Sequence, residues 1–232
     1  MTDNVAHGEH VHFGEGSSGY LSTPASGTGP GVVLIQEWWG LNPHIEDVAD
    51  RLAAEGFVTL APDLYHGKVT REPDEATKLM MGLAMDGAAV DIVAAAGFLS
   101  GHESTGGQGI GVVGFCMGGS LALWSATLSD DIVATVGFYP AMPWEKMSPT
   151  WSRYQDKAAL LHADEHEGGV NGEGVLAAEK AIENAGGEVS AYEYPGTDHA
   201  FFNDTRPEVY APEAAALAWQ RTIAFLNDRI AP

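Results

Sequence analysis

The chain has 232 residues, 11 basic side chains against 32 acidic ones, and a formal charge of −21 at neutral pH. A surface so acidic repels phosphate backbones and anionic lipid, which excludes nucleic acid and membrane surfaces as expected partners. Hydrophobic residues make up 45% and charged residues 19%, a globular composition, and no apolar run approaches the ~18 residues of a membrane span.

Residues 9–13 and 19–23 read as a short antiparallel start. The continuous apolar run at 31–36 is that of a strand buried on both faces. Helical spacing follows over 43–55, with Ile45, Val48, Leu52 and Ala53 on one side, and 57–61 is the next strand, stopped by Pro62. A long stretch rich in Ala, Leu and Met predicts one helical region over 73–99. Strands are then predicted at 110–115, 132–138, 158–162 and 189–194, and helices at 118–128, 175–185 and 213–229. This alternation implies an α/β fold, a mostly parallel sheet with helices on both faces. The Gly- and Ser-rich pieces at 26–31 and 100–109 are short enough to be loops, so one domain over 1–232 is expected. The first ten residues carry neither a basic region nor an apolar core, so no secretory signal is expected. With a single cysteine, a reducing cytoplasm is the expected compartment.

That cysteine sits in Gly114-Phe115-Cys116-Met117-Gly118, between an apolar strand and an apolar helix. The pattern is the G-x-S-x-G nucleophile elbow with sulfur in place of the serine oxygen. Glycines flank the nucleophile because strand and helix approach closely there, and the helix N-terminus favours a thiolate. Cys116 is therefore the expected nucleophile. A thiol nucleophile needs a base, and the base an orienting acid. His162, His166 and His199 lie downstream; His199, in Gly196-Thr197-Asp198-His199 after the last strand, has the position that an elbow fold gives its histidine. Asp164, Glu165 and Glu167 follow the strand ending at His162, and the Glu165-x-Glu167 spacing makes Glu167 the expected acid, with Asp164 the alternative. Glu37 opens Glu37-Trp38-Trp39-Gly40, the loop expected to supply one oxyanion-hole amide from Trp38, paired with the N–H of Met117. Asp63 is expected to be structural. His10 and His12 would share a strand face without a suitably spaced third ligand, and the elbow lacks G-x-G-x-x-G spacing. No metal and no cofactor are implied.

Gln36-Glu37-Trp38-Trp39-Gly40, Ala61-Pro62-Asp63-Leu64-Tyr65, the cysteine elbow and Gly196-Thr197-Asp198-His199 together resemble the dienelactone hydrolase (carboxymethylenebutenolidase) family of α/β-hydrolases. The resemblance implies the α/β-hydrolase fold and hydrolysis of lactones or small carboxylic esters through an acyl-cysteine. It also implies that Glu37 hydrogen-bonds the resting thiol and helps generate the thiolate when substrate arrives. In that family an arginine that binds the substrate carboxylate lies four residues after the histidine; here the position is Asn203. Trp38, Trp39, Trp144, Phe201 and Phe202 are expected to line an apolar cleft instead, which favours neutral substrates over carboxylate-bearing ones. The competing reading is a non-catalytic binding protein of the same fold, which need not retain Cys116, His199 and an acid together. A thiol redox role lacks a resolving cysteine.

Overall fold

The computed structural model describes residues 8–166 and 172–231. Among them, eight strands form one sheet in the order β1-β2-β4-β3-β5-β6-β7-β8. β1 (Glu9–Phe13), β2 (Ser17–Ser22) and β4 (Val58–Pro62) pair antiparallel, and β4, β3 (Gly29–Ile35), β5 (Thr105–Phe115), β6 (Ile132–Phe138), β7 (Ala158–Asp164) and β8 (Glu188–Tyr194) run parallel. Val32 to Ile35 and Val112 to Val113 are fully buried, as the continuous apolar runs require of strands covered on both faces.

α1 (Pro43–Ala54) starts on an Asn42 cap whose side chain accepts from Ile45 N at 3.1 Å, with Pro43 in the first turn where its missing N–H costs nothing. α3 (Met85–Gly101) and α4 (Met117–Ser125) pack on one face of the sheet, while α1 and α6 (Pro212–Ile230) pack on the other. α5 (Glu173–Asn184) lies beside β8.

The single helix predicted over 73–99 is two helices, α2 (Pro73–Gly82) and α3, bent by 86°. Leu83 and Ala84 between them are extended, and both Leu83 and Met85 pack on the core. Gly82 is the weak point of the run, and apolar anchorage on either side of it outweighs propensity. No single helix among the described residues is long and apolar enough to cross a membrane.

The chain order reverses at β3, which has β4 on one side and β5 on the other. Parallel α/β sheets leave a crevice beyond the strand C-termini at such a switch point. β3 and β5 deliver Glu37 and Cys116 to that edge, and β6, β7 and β8 deliver Tyr139, Asp164 and the loop carrying His199.

Candidate active site

Cys116 occupies the turn between β5 and α4 with φ 56° and ψ −120°, a conformation that costs a non-glycine residue about 1–3 kcal/mol. Its neighbours explain how the turn is held. A Cβ on Gly114 would stand 2.0 Å from the Gly118 carbonyl oxygen, and one on Gly118 2.4 Å from that of Gln36. A Cβ on Gly119 would stand 2.7 Å from the Phe138 carbonyl oxygen. The backbone is pinned by Cys116 N donating to Phe138 O at 3.0 Å and by Gly119 N and Ala141 N donating to Cys116 O at 3.0 and 3.2 Å. Met117 opens α4, so its N–H has no carbonyl within the helix to serve and is available to an oxyanion.

Glu37 is buried at 1% exposure at the end of β3. Its Oε2 accepts from Asn203 Nδ2 at 2.9 Å and its Oε1 from the Tyr139 hydroxyl at 3.4 Å. Burial pushes its carboxyl up to about 7, against the smaller opposing pull of the Asn203 bond, Arg206 and Tyr139. Tyr139 immediately follows β6 with φ 35°, and burial, then the charges of Glu37 and Cys116, raise its hydroxyl well above the ordinary range. Its ring meets the His199 imidazole edge-on, centroids 4.9 Å apart. Sequence reasoning missed Tyr139; its signal is a tyrosine one residue past a buried strand on the sheet edge that carries the elbow.

Of the three candidate bases, His162 is fully buried within β7, its ring nitrogens 3.0 Å from Thr222 Oγ1 and 2.8 Å from the Tyr194 hydroxyl. Burial pushes its pKa down to about 3, so it stays neutral and structural. His166 is exposed and bonded to Asp198 at 2.7 Å. His199 is the histidine placed beside Tyr139, with Nδ1 3.8 Å from Asp164 Oδ2. That is an ion-pair distance, longer than a hydrogen bond. Glu167 lies outside the described residues. The segment before it is stitched to the His199 loop by Gly196 N donating to Glu165 Oε2 at 2.7 Å and His166 N to Thr197 O at 3.3 Å.

A cleft of about 530 Å³ opens beside Asn203 and Trp39, lined also by His44, Val69, Arg71 and Arg206. Trp38 and Trp39 are half-buried and meet edge-on. Three expectations need correction. Phe201 and Phe202 do not line the cleft: at 0% and 3% exposure they pack in the core, Phe201 between the rings of Tyr139 and Tyr194 and Phe202 against Phe115, Phe138 and Trp219. Nor is the cleft uncharged: Arg71, Arg206 and Glu208 border it, Arg206 donating from Nε to Glu208 Oε1 at 2.9 Å with its guanidinium 5.9 Å from the Trp39 ring centroid. Trp144 instead bonds Gly174 O and packs on Trp151. Asn203 borders the cleft but turns its amide nitrogen to Glu37. Asp63 is structural, its carboxylate accepting from Tyr65 N and Gly67 N in the turn after β4.

The dienelactone hydrolase family model matches residues 18–230. The chain is 37% identical over 217 residues to "Protein usf" of Aquifex pyrophilus, covering 90% of this chain and 92% of that protein. It is 31% identical over 220 residues to the carboxymethylenebutenolidase of Pseudomonas sp. (strain P51), covering 90% of this chain and 88% of that protein. In fold it is similar to a dienelactone hydrolase-like promiscuous phosphotriesterase from metagenomic libraries, with a TM-score of 0.85 and 20% identity over 98% of this chain and 100% of that one.

Proposed function

The chain belongs to the dienelactone hydrolase family, with its α/β-hydrolase fold, and from that premise we propose that it hydrolyses lactones or small carboxylic esters through an acyl-Cys116 intermediate. The observation that carries this reading is Cys116 itself, a non-glycine residue held at φ 56° between β5 and α4 on the edge where His199 also lies. A backbone held in that state needs a reason, and presenting Sγ to a substrate supplies one.

Cys116 Sγ attacks the carbonyl carbon, and the developing oxyanion accepts from the N–H groups of Met117 and Trp38. Collapse breaks the acyl C–O bond, and the leaving oxygen takes a proton from the His199 imidazolium. His199 then removes a proton from water, which attacks the thioester, and the Cys116 thiolate departs with the acid as product. Glu37 keeps the resting thiol neutral, receives its proton when the site is engaged and returns it to the departing thiolate. His199 enters as the imidazolium and regains from water the proton it gives the leaving oxygen. A thiol that is neutral at rest resists oxidation. Glu167 orients His199, a role that the Glu165-x-Glu167 spacing supports; Asp164, whose Oδ2 is 3.8 Å from His199 Nδ1, is the alternative. Arg71, and Arg206 once released from its pair with Glu208, favour substrates that carry a carboxylate beyond the reacting ester.

Brief exposure to an activated aryl ester, acid quenching and mass spectrometry test the mechanism. The expected result is one acyl group on Cys116, none in Cys116→Ala, and turnover in Cys116→Ala or His199→Ala reduced by about 10⁴-fold or more. Near-normal turnover in Cys116→Ala refutes it.

A further inference from the structure

The side-chain amide of Asn203 has a defined sense. Its Oδ1 accepts from Thr205 N at 3.1 Å and Thr205 Oγ1 at 2.6 Å. A backbone N–H only donates, so that end of the amide is the oxygen, and the end 2.9 Å from Glu37 Oε2 is the nitrogen. The residue is 2% exposed, and its backbone is fixed as well: Asn203 N donates to Ala200 O at 2.9 Å and Arg206 N to Asn203 O at 3.1 Å. The next residue, Asp204, is tied to Arg51 of α1. Four residues before Asn203, the same folded segment presents His199.

We propose that Asn203, clamped by Thr205, is a positioning residue that holds Glu37 by one carboxylate oxygen, turns the other to Tyr139, and couples this geometry to the loop that carries His199. The proposal rests on the reading of Glu37 as the proton acceptor of Cys116. The groups that face Glu37 are Tyr139 from the end of β6, Asn203 and Arg206 from the loop before α6 and, next to Tyr139, Cys116 and His199. The donor in direct contact through Asn203 is neutral. It satisfies the carboxylate without neutralising it, so the cost of burying the charge stands and Glu37 titrates close to neutrality. A guanidinium at the same place would hold the carboxylate ionised throughout that range.

The test is the rate of Cys116 alkylation by iodoacetamide, without substrate, from about pH 5 to about pH 9 in wild type, Glu37→Gln, Asn203→Arg, Asn203→Ala and Thr205→Val. Wild type is expected to show an inflection that Glu37→Gln lacks. Asn203→Arg should move it down by about one pH unit or more and Asn203→Ala should move it up. Thr205→Val, at an exposed position where folding is not at issue, should shift it in the direction of Asn203→Ala by a smaller amount. If the wild-type inflection persists in Glu37→Gln, Glu37 is not the acceptor and the proposal falls with that reading. If Glu37→Gln removes it but the Asn203 and Thr205 variants keep the wild-type value, Glu37 stands and the clamp alone is overturned.

Discussion

Replacing Glu37 by Gln should make the protein more stable in mild alkali while impairing it as a catalyst. Burial raises the Glu37 carboxyl from the ordinary 4.5 to about 7. Between those values the folded protein holds a proton that the unfolded chain has released, so stability falls as pH rises through this window and levels off above it. Over the full window the loss is about 3 kcal/mol, and between about pH 5 and pH 8 it is about 2.5 kcal/mol. Glutamine can keep both contacts, accepting from Asn203 Nδ2 through Oε1 and donating to the Tyr139 oxygen through its amide. Urea denaturation of both proteins at the two pH values gives the variant-minus-wild-type difference at each. Titrating groups common to both proteins cancel, and that difference should grow in favour of Glu37→Gln by about 2 kcal/mol or more from the lower pH to the higher. Equal differences at the two pH values would refute the reasoning, because the buried carboxyl would then ionise at its ordinary pH.

Steady-state kinetics should show Glu167→Gln far more damaging than Asp164→Asn; the reverse order would transfer the orienting role to Asp164, whose Oδ2 is 3.8 Å from His199 Nδ1. Gly118→Ala should destabilise the fold by about 2 kcal/mol or more in urea denaturation, since the added methyl meets two rigid carbonyl oxygens of β3 and the residue after it at 2.6 and 2.4 Å. An ester bearing a free carboxylate should be turned over with a kcat/KM about tenfold above that of its methylated analogue, a preference lost in Arg71→Ala or Arg206→Ala. Equal kinetics on the two esters would show that neither guanidinium reaches bound substrate.

Local backbone geometry was readable in the chain. The elbow is encoded within a few residues, because the close approach of β5 and α4 demands glycine at 114, and that of α4 to the end of β3 demands it at 118. The place of His199 in the loop after β8 was legible from its order after the last predicted strand. Contacts between distant segments were not: Glu37 and Asn203 lie 166 residues apart, and nothing in either neighbourhood announces the other. Asn203 stood out only as the absence of an arginine, whereas its amide is the partner of a buried carboxylate. Phe201 and Phe202 were misread because aromatic residues beside a catalytic loop have the same composition whether they face a cleft or anchor the loop from beneath. The break at Gly82 was hidden by an uninterrupted Ala, Leu and Met composition on both sides, so only the packing of Leu83 and Met85 reveals it.

The placement of the site along one sheet edge bears on the order in which a working enzyme comes into being. The Cys116 sulfur belongs to the turn between β5 and α4 in the middle of the chain, whereas His199 lies beyond β8 in a segment that also touches α1. A growing polypeptide therefore makes the thiol well before the imidazole proposed to act with it. Glu37, the proposed acceptor of the thiol proton, is made before Cys116, but the Asn203 amide that holds its carboxylate is made long after it. The proposed site is thus completed last, at the close of folding, around a sulfur that sits in a turn with 8% exposure.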